Sequence, residues 1–181
     1  SFFFTVIASF FIKDSIQLST FGAIIVAPIV EEITKGLFLL ITITNKKFDN
    51  ITDGIVYGGA IGLGFGMTEN FLYFITNTEN LASWIMLIVI RSLFSAVMHC
   101  VSTATLGAFL ALAKFKTYLQ KYAYIFAGLI VAIFIHSTWN YTLSSKNIAY
   151  IGFLFMIGSV IIFITTYYLS LNSERKIIFN E

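Results

Sequence analysis

Read only for hydrophobic and polar positions, the chain is a series of long apolar runs broken by short polar stretches. Runs cover residues 2–12, 18–44, 51–76, 81–113, 122–143 and 148–171, with polar breaks at 13–17, 45–50, 77–80, 114–121 and 144–147. About 20 apolar residues suffice for a helix to cross the hydrocarbon core of a bilayer. The first run is too short for that and reads as the end of a truncated first helix. The 81–113 run would be around 50 Å long as one helix, so it must tilt, kink or begin in the interface. The pattern predicts an all-α, polytopic transmembrane helix bundle of about six spanning helices. It reads as one domain over residues 1–181, with its core at 18–143 and a polar tail at 172–181.

Composition agrees with the pattern. The chain is 58% hydrophobic and 11% charged, against about 25% charged in soluble domains. Mean hydropathy is +0.89. The lipid bilayer is therefore the first partner implied. A net charge of +2 gives nucleic acid no electrostatic footing. The one cysteine, Cys100, has no intrachain disulfide partner. Lys46, Lys47, Lys114, Lys116, Lys121, Arg175 and Lys176 fall on one side if the helices alternate, with Lys13 and Lys146 on the other. The positive-inside rule then makes the loops 45–50 and 114–121 cytoplasmic.

Against this background the polar residues inside the runs stand out. Glu31, Glu32 and Lys35 interrupt the second run, Glu69 the third, Arg91 and His99 the fourth, and His136 and Asn140 the fifth. A charge at bilayer depth costs about 2.5–3.5 kcal/mol even on lenient scales, and such residues mark functional sites by default. With each run centred on the bilayer, Glu31 and Glu32 lie at the midplane and His99 within about 3 Å of it. Glu69 and His136 lie roughly 6 Å outward. A shared polar cavity at mid-membrane is the expectation. Gly58, Gly62 and Gly66, four apart, form a ridge where another helix can approach closely. Glu31 and Lys35 share a helix face; they either neutralise each other and leave Glu32 for chemistry, or the two carboxylates exchange roles. His136 and Asn140 also share a face. Arg91 lies nearer the outer interface and is free to snorkel outward. Asp53 reads as a helix N-cap.

The buried groups sum to minus one: Glu31, Glu32 and Glu69 against Lys35 and Arg91, with both histidines neutral. Either one carboxyl stays protonated or a divalent cation binds. Zinc takes Glu and His ligands, and an open coordination position activates water. Two function classes fit acids and histidines at the midplane: a hydrolase and a proton- or ion-coupled transporter. No inverted repeat favours the second. HExxH and GxSxG are both missing, which leaves an enzyme of Glu/His type.

The motifs resemble those of PrsW-type intramembrane proteases. Glu31-Glu32-Ile33-Thr34-Lys35 matches EExxK. Asp53-Gly54-Ile55-Val56-Tyr57-Gly58, then Gly64-Phe65-Gly66-Met67-Thr68-Glu69-Asn70, resemble DGxxYG and GFxxxEN. His99 and the stretch from His136 to Asn140 supply the remaining blocks. The related CAAX-prenyl-protease and bacteriocin-processing branch has Arg where this chain has Gly36, and His where it has Glu69. The resemblance implies a multi-pass protease of a prokaryotic plasma membrane that cleaves membrane-anchored regulators of the anti-sigma-factor kind. On that reading Glu31 or Glu32 is the general base, Glu31 preferred. Glu69, His99 and His136 ligate zinc or orient water. Asn140 is an oxyanion donor, and Lys35 and Arg91 balance charge. A catalytically idle binding or immunity relative is the further alternative. Oligomeric state is left open.

Overall fold

The computed structural model describes residues 20–45, 48–76 and 80–179, with side chains as far as Arg175. The expected first helix, Lys46 and Lys47, and most of the 77–80 break lie outside the described residues. Among those described, the fold is all-helical. Helix α1 opens with a π-helical turn, Gly22–Val26, and continues as Ala27–Ile43. It is followed by α2 (Ile51–Thr76), α3 (Leu81–Lys114), α4 (Tyr118–Leu143) and α5 (Ala149–Phe179). Three of them are long and apolar enough to cross a membrane: Leu81–Lys114, Tyr118–Leu143 and Ala149–Arg175.

Helix α3 is the centre of the bundle. Its long apolar run neither breaks nor ends early; it carries a π-helical turn at Arg91–Ser95 instead. A π-turn inserts a residue into the α-helical register. On one side α3 meets the glycine ridge of α2, which begins at Gly54, one step earlier than the three glycines expected. A Cβ at Gly54 would strike the Gly107 carbonyl, one at Gly58 would lie 2.5 Å from the Thr103 carbonyl oxygen, and one at Gly62 would strike the His99 carbonyl. At Gly66 it would lie 2.9 Å from His99 Cδ2. Steps of four up α2 thus meet steps of about four down α3, backbone against backbone. On its other sides α3 packs Leu106 and Leu110 with Leu39 of α1 and Ala132 of α4. Nearer its start, Met98 joins Trp139 of α4 and Met156 of α5.

Helix α1 shows why the expensive residues face inward. Its buried positions are Pro28, Glu32, Lys35 and Leu39, spaced as one helical stripe, while Ile33, Leu37, Leu40 and Ile41 are exposed. The apolar majority faces outward and the polar minority is enclosed, the inverse of a soluble amphipathic helix.

Several boundaries differ from the sequence expectation. Asn50, not Asp53, caps α2: its Oδ1 accepts from the Asp53 N–H at 2.7 Å, and the Asp53 carboxylate accepts in return from the Asp49 N–H at 3.0 Å. That reciprocal arrangement resembles a capping box. Helix α4 starts at Tyr118, inside the stretch expected to be loop. The polar tail continues α5 to Phe179. There Glu174 Oε1 accepts from Thr52 Oγ1 at 2.5 Å, tying the end of α5 to the start of α2. Lys114 is not a free loop charge either; its ammonium donates to the carbonyls of Ile43, at the end of α1, and of Phe48, in the connection to α2.

Candidate functional site

The ionisable residues of four helices meet in one cluster of hydrogen bonds and ion pairs. Glu32 and Lys35 of α1 are fully buried and ion-paired, Lys35 Nζ donating to Glu32 Oε1. Glu32 also accepts from Ser102 Oγ at 3.0 Å and lies 2.9 Å from His136 Nδ1. Three donors on one oxygen suit an ionised carboxylate. Of the two alternatives in the EExxK stretch, the structure therefore pairs Lys35 with Glu32 at i,i+3, and not with Glu31 at i,i+4.

The histidine protons follow from what surrounds them. An ammonium only donates, so His99 Nδ1, 3.1 Å from Lys35 Nζ, accepts. His99 Nε2 then carries the proton and donates to Glu69 Oε2 at 2.9 Å. His136 donates from Nδ1 to Glu32, which leaves Nε2 with a lone pair. That nitrogen lies 3.7 Å from Glu31 Oε2. The two rings meet edge to face with centroids 4.8 Å apart, and Phe65 packs against His99 at 5.6 Å.

Glu69 has its own cation. Arg91 Nη2 lies 2.9 Å from Glu69 Oε2, and the guanidinium stacks over the Tyr73 ring at 3.6 Å. The expected outward snorkelling of Arg91 does not occur, because a carboxylate and an aromatic face hold it inside. With Glu32 matched to Lys35 and Glu69 to Arg91, Glu31 is the acid of the cluster left without a matching cation. Its Oε2 is a buried atom with no hydrogen-bond partner, and its side chain is 17% exposed.

The group spaced to hold a metal is Glu31, His99 and His136, whose ligand atoms all lie within 4.8 Å of one another. This differs from the expected trio in one member: Glu69 stands behind His99, where it orients the imidazole, and Glu31 takes its place. One carboxylate and two imidazoles make a donor set that suits zinc, and the unpartnered Oε2 of Glu31 beside the His136 lone pair fits a cation. His99 would have to release Lys35 or Glu69 to ligate. Asn140, expected at the oxyanion, donates from Nδ2 to the Ala23 carbonyl at 3.0 Å. The cause is Pro28, which has no N–H for a carbonyl five residues back in a π-turn. Cys100 faces Gly59, with Sγ 3.3 Å from where a Cβ there would lie. Ser102, Tyr73 and Thr103, whose Oγ1 lies 3.5 Å from Glu32 Oε2, were not singled out from sequence, and Asn70 entered only as part of the GFxxxEN block. Ser102 follows His99 at i+3, a spacing that places it on the same face of α3.

A family model described as PrsW family intramembrane metalloprotease matches residues 1–168. Among curated relatives, Protease PrsW of Oceanobacillus iheyensis is 33% identical over 138 residues, 76% of this chain and 60% of its own. Protease PrsW of Geobacillus kaustophilus is 28% identical over 126 residues, 69% of this chain and 53% of its own. Protease PrsW of Clostridioides difficile is 31% identical over 121 residues, 66% of this chain and 50% of its own. The chain thus spans about half the length of the curated relatives it matches. No solved structure matches it.

Proposed function

We propose that this chain, which belongs to the PrsW family of intramembrane metalloproteases, is an endopeptidase that hydrolyses membrane-anchored protein or peptide substrates. The observation that carries the reading is Glu31. It is the one carboxylate of the cluster left without a cation, it lies 3.7 Å from an imidazole nitrogen with a free lone pair, and it keeps partial exposure. An unpaired carboxylate placed so is a general base. Glu31 takes a proton from water, the water oxygen bonds to the scissile carbonyl carbon, and the proton passes to the departing amine as the C–N bond breaks. Glu32 holds the His136 tautomer and orientation. Lys35 keeps Glu32 ionised and fixes His99. Asn140 retains a second N–H on Nδ2 after its bond to Ala23, enough to donate to a developing oxyanion.

Glu31, His99 and His136 would be the residues to hold a zinc ion, which when bound lowers the pKa of its water to about 7 and polarises a carbonyl. A carboxylate has two oxygens, so holding an ion through one would leave Glu31 the other for the proton.

We read α1 and α2 as spanning along with the three more apolar helices, since Val56, Leu63, Met67 and Phe71 of α2, like the outer face of α1, are exposed apolar residues. With the truncated first helix expected from residues 2–12, we propose about six spans in a plasma membrane, the basic loops 45–50 and 114–121 on the cytoplasmic side. The experiment is co-expression with a membrane-anchored reporter. Cleavage by the parent chain, lost in Glu31→Gln, His99→Ala and His136→Ala, is expected. Undiminished cleavage by all three variants would overturn the reading, and substrate- or proton-coupled flux in liposomes in place of cleavage would favour a transporter.

A further inference from the structure

We propose that Asn70 is a positioning residue for His99, acting through Arg91 and Glu69; the inference rests on the hydrolytic reading above. Asn70 is 3% exposed, and both ends of its amide are used on a single residue. Its Nδ2 donates to the Arg91 carbonyl at 3.0 Å, and its Oδ1 accepts from Arg91 Nε at 2.9 Å. The contact prolongs the close register of α2 on α3: after Gly54, Gly58, Gly62 and Gly66, the next step of four is Asn70, and its partner across the interface is Arg91.

The two bonds do different things. The guanidinium is planar, so a hydrogen bond at Nε sets the plane in which Nη2 lies. Nη2 is ion-paired at 2.9 Å with Glu69 Oε2, without a hydrogen bond, and that same oxygen accepts from His99 Nε2. Asn70 thereby fixes the carboxylate that decides which His99 nitrogen carries the proton, and Nδ1 is left as the acceptor facing Lys35. The bond to the Arg91 carbonyl acts on the backbone. Arg91 opens the π-turn, and its carbonyl already accepts from the Ala96 N–H. One inserted residue turns the downstream part of the helix by about 100° relative to an unbroken α-helix, and His99 lies in that downstream part. The amide of Asn70 pins the turn at its first residue and so holds the phase that aims His99 into the cluster.

Supporting groups of this kind are worth about 10–100-fold in activity. Asn70→Ala and Arg91→Ala should each lower kcat by about that factor with KM nearly unchanged, because neither touches the substrate. The double variant should lose no more than the worse single one, as residues acting in series do. Asn70→Asp is the second variant: nearly isosteric, it loses the donor to the Arg91 carbonyl and draws the guanidinium away from Glu69, so kcat falls again. Independently of turnover, ¹⁵N spectra of histidine-labelled chain should show His99 protonated at Nε2 in the parent and redistributed between its nitrogens in Asn70→Ala and Asn70→Asp. An unchanged His99 signature, a loss carried by KM, or additive losses would overturn the proposal. A parent chain that cleaves nothing but shows the spectral change would sink the hydrolytic reading and leave the positioning role standing.

Discussion

Glu31 and Glu32 are neighbours in sequence and opposites in surroundings. Glu32 is enclosed, ion-paired to Lys35 and bonded to Ser102 and His136, whereas Glu31 Oε2 is buried without a hydrogen bond. Their neutral variants should separate accordingly. Glu32→Gln leaves the Lys35 ammonium buried without its counter-charge, which costs about 3–5 kcal/mol and should lower the unfolding midpoint in detergent. Glu31→Gln removes no structural bond and should leave that midpoint in place, while cleavage falls by about 10²–10⁴-fold through loss of the base. Equal destabilisation by both substitutions would contradict the assignment of roles. The sequence carried the arithmetic of this site, three acids against two bases, but not the location of the remainder. Within one helical turn Lys35 reaches i−3 and i−4 alike. His136 and Ser102 drew the paired carboxylate to Glu32, and both come from other helices.

Among the elements, the pairing of α2 with α3 is the contact most legible in sequence, because glycines four apart leave a flat stripe whatever surrounds them. It also has a sharp test. Ala is more favourable than Gly in a helix interior by about 1 kcal/mol. Gly64, with nothing within 4 Å of where a Cβ would lie, should therefore tolerate Ala with equal or better stability. Gly62→Ala drives a methyl into the His99 carbonyl and should cost about 1–3 kcal/mol along with activity, since His99 must shift. Unfolding midpoints of the two variants decide the matter, and a tolerated Gly62→Ala would mean that the helices are farther apart. The two π-turns were not legible. An inserted residue changes no composition and no apolar periodicity; it shows only in which carbonyls take side-chain donors. Asn140 supplies one at Ala23, and Asn70 adds a second bond at Arg91, whose carbonyl also accepts from the Ala96 N–H.

For the molecule as a whole, metal content and orientation are the measurable consequences. One zinc per chain is expected, lost together with cleavage on chelation and reduced in Glu31→Gln and His136→Ala. A metal-free chain cleaving at the full rate would remove the cation and leave water activation to Glu31 alone. Orientation is read by single cysteines introduced after replacing Cys100. A thiol at Lys116 should react with an impermeant reagent from the cytoplasmic side only, and one at Lys146 from the outside only. The reverse pattern would invert the topology.

The sequence by itself determined that this is a helical membrane protein, that ionisable residues of four helices lie at one depth, that one helix pair touches through glycines, and that three acids face two bases in the cluster. These are properties of composition and of fixed helical rise and period, so they survive without knowledge of neighbours. Tertiary structure alone decided that Lys35 belongs to Glu32, that Glu69 supports His99 beside Arg91, that Asn70 clamps Arg91, and that Glu31 is the acid left without a cation. Those choices depend on side chains brought from different helices to a common oxygen or nitrogen, where donors and acceptors compete over differences of an ångström that spacing along one chain does not encode.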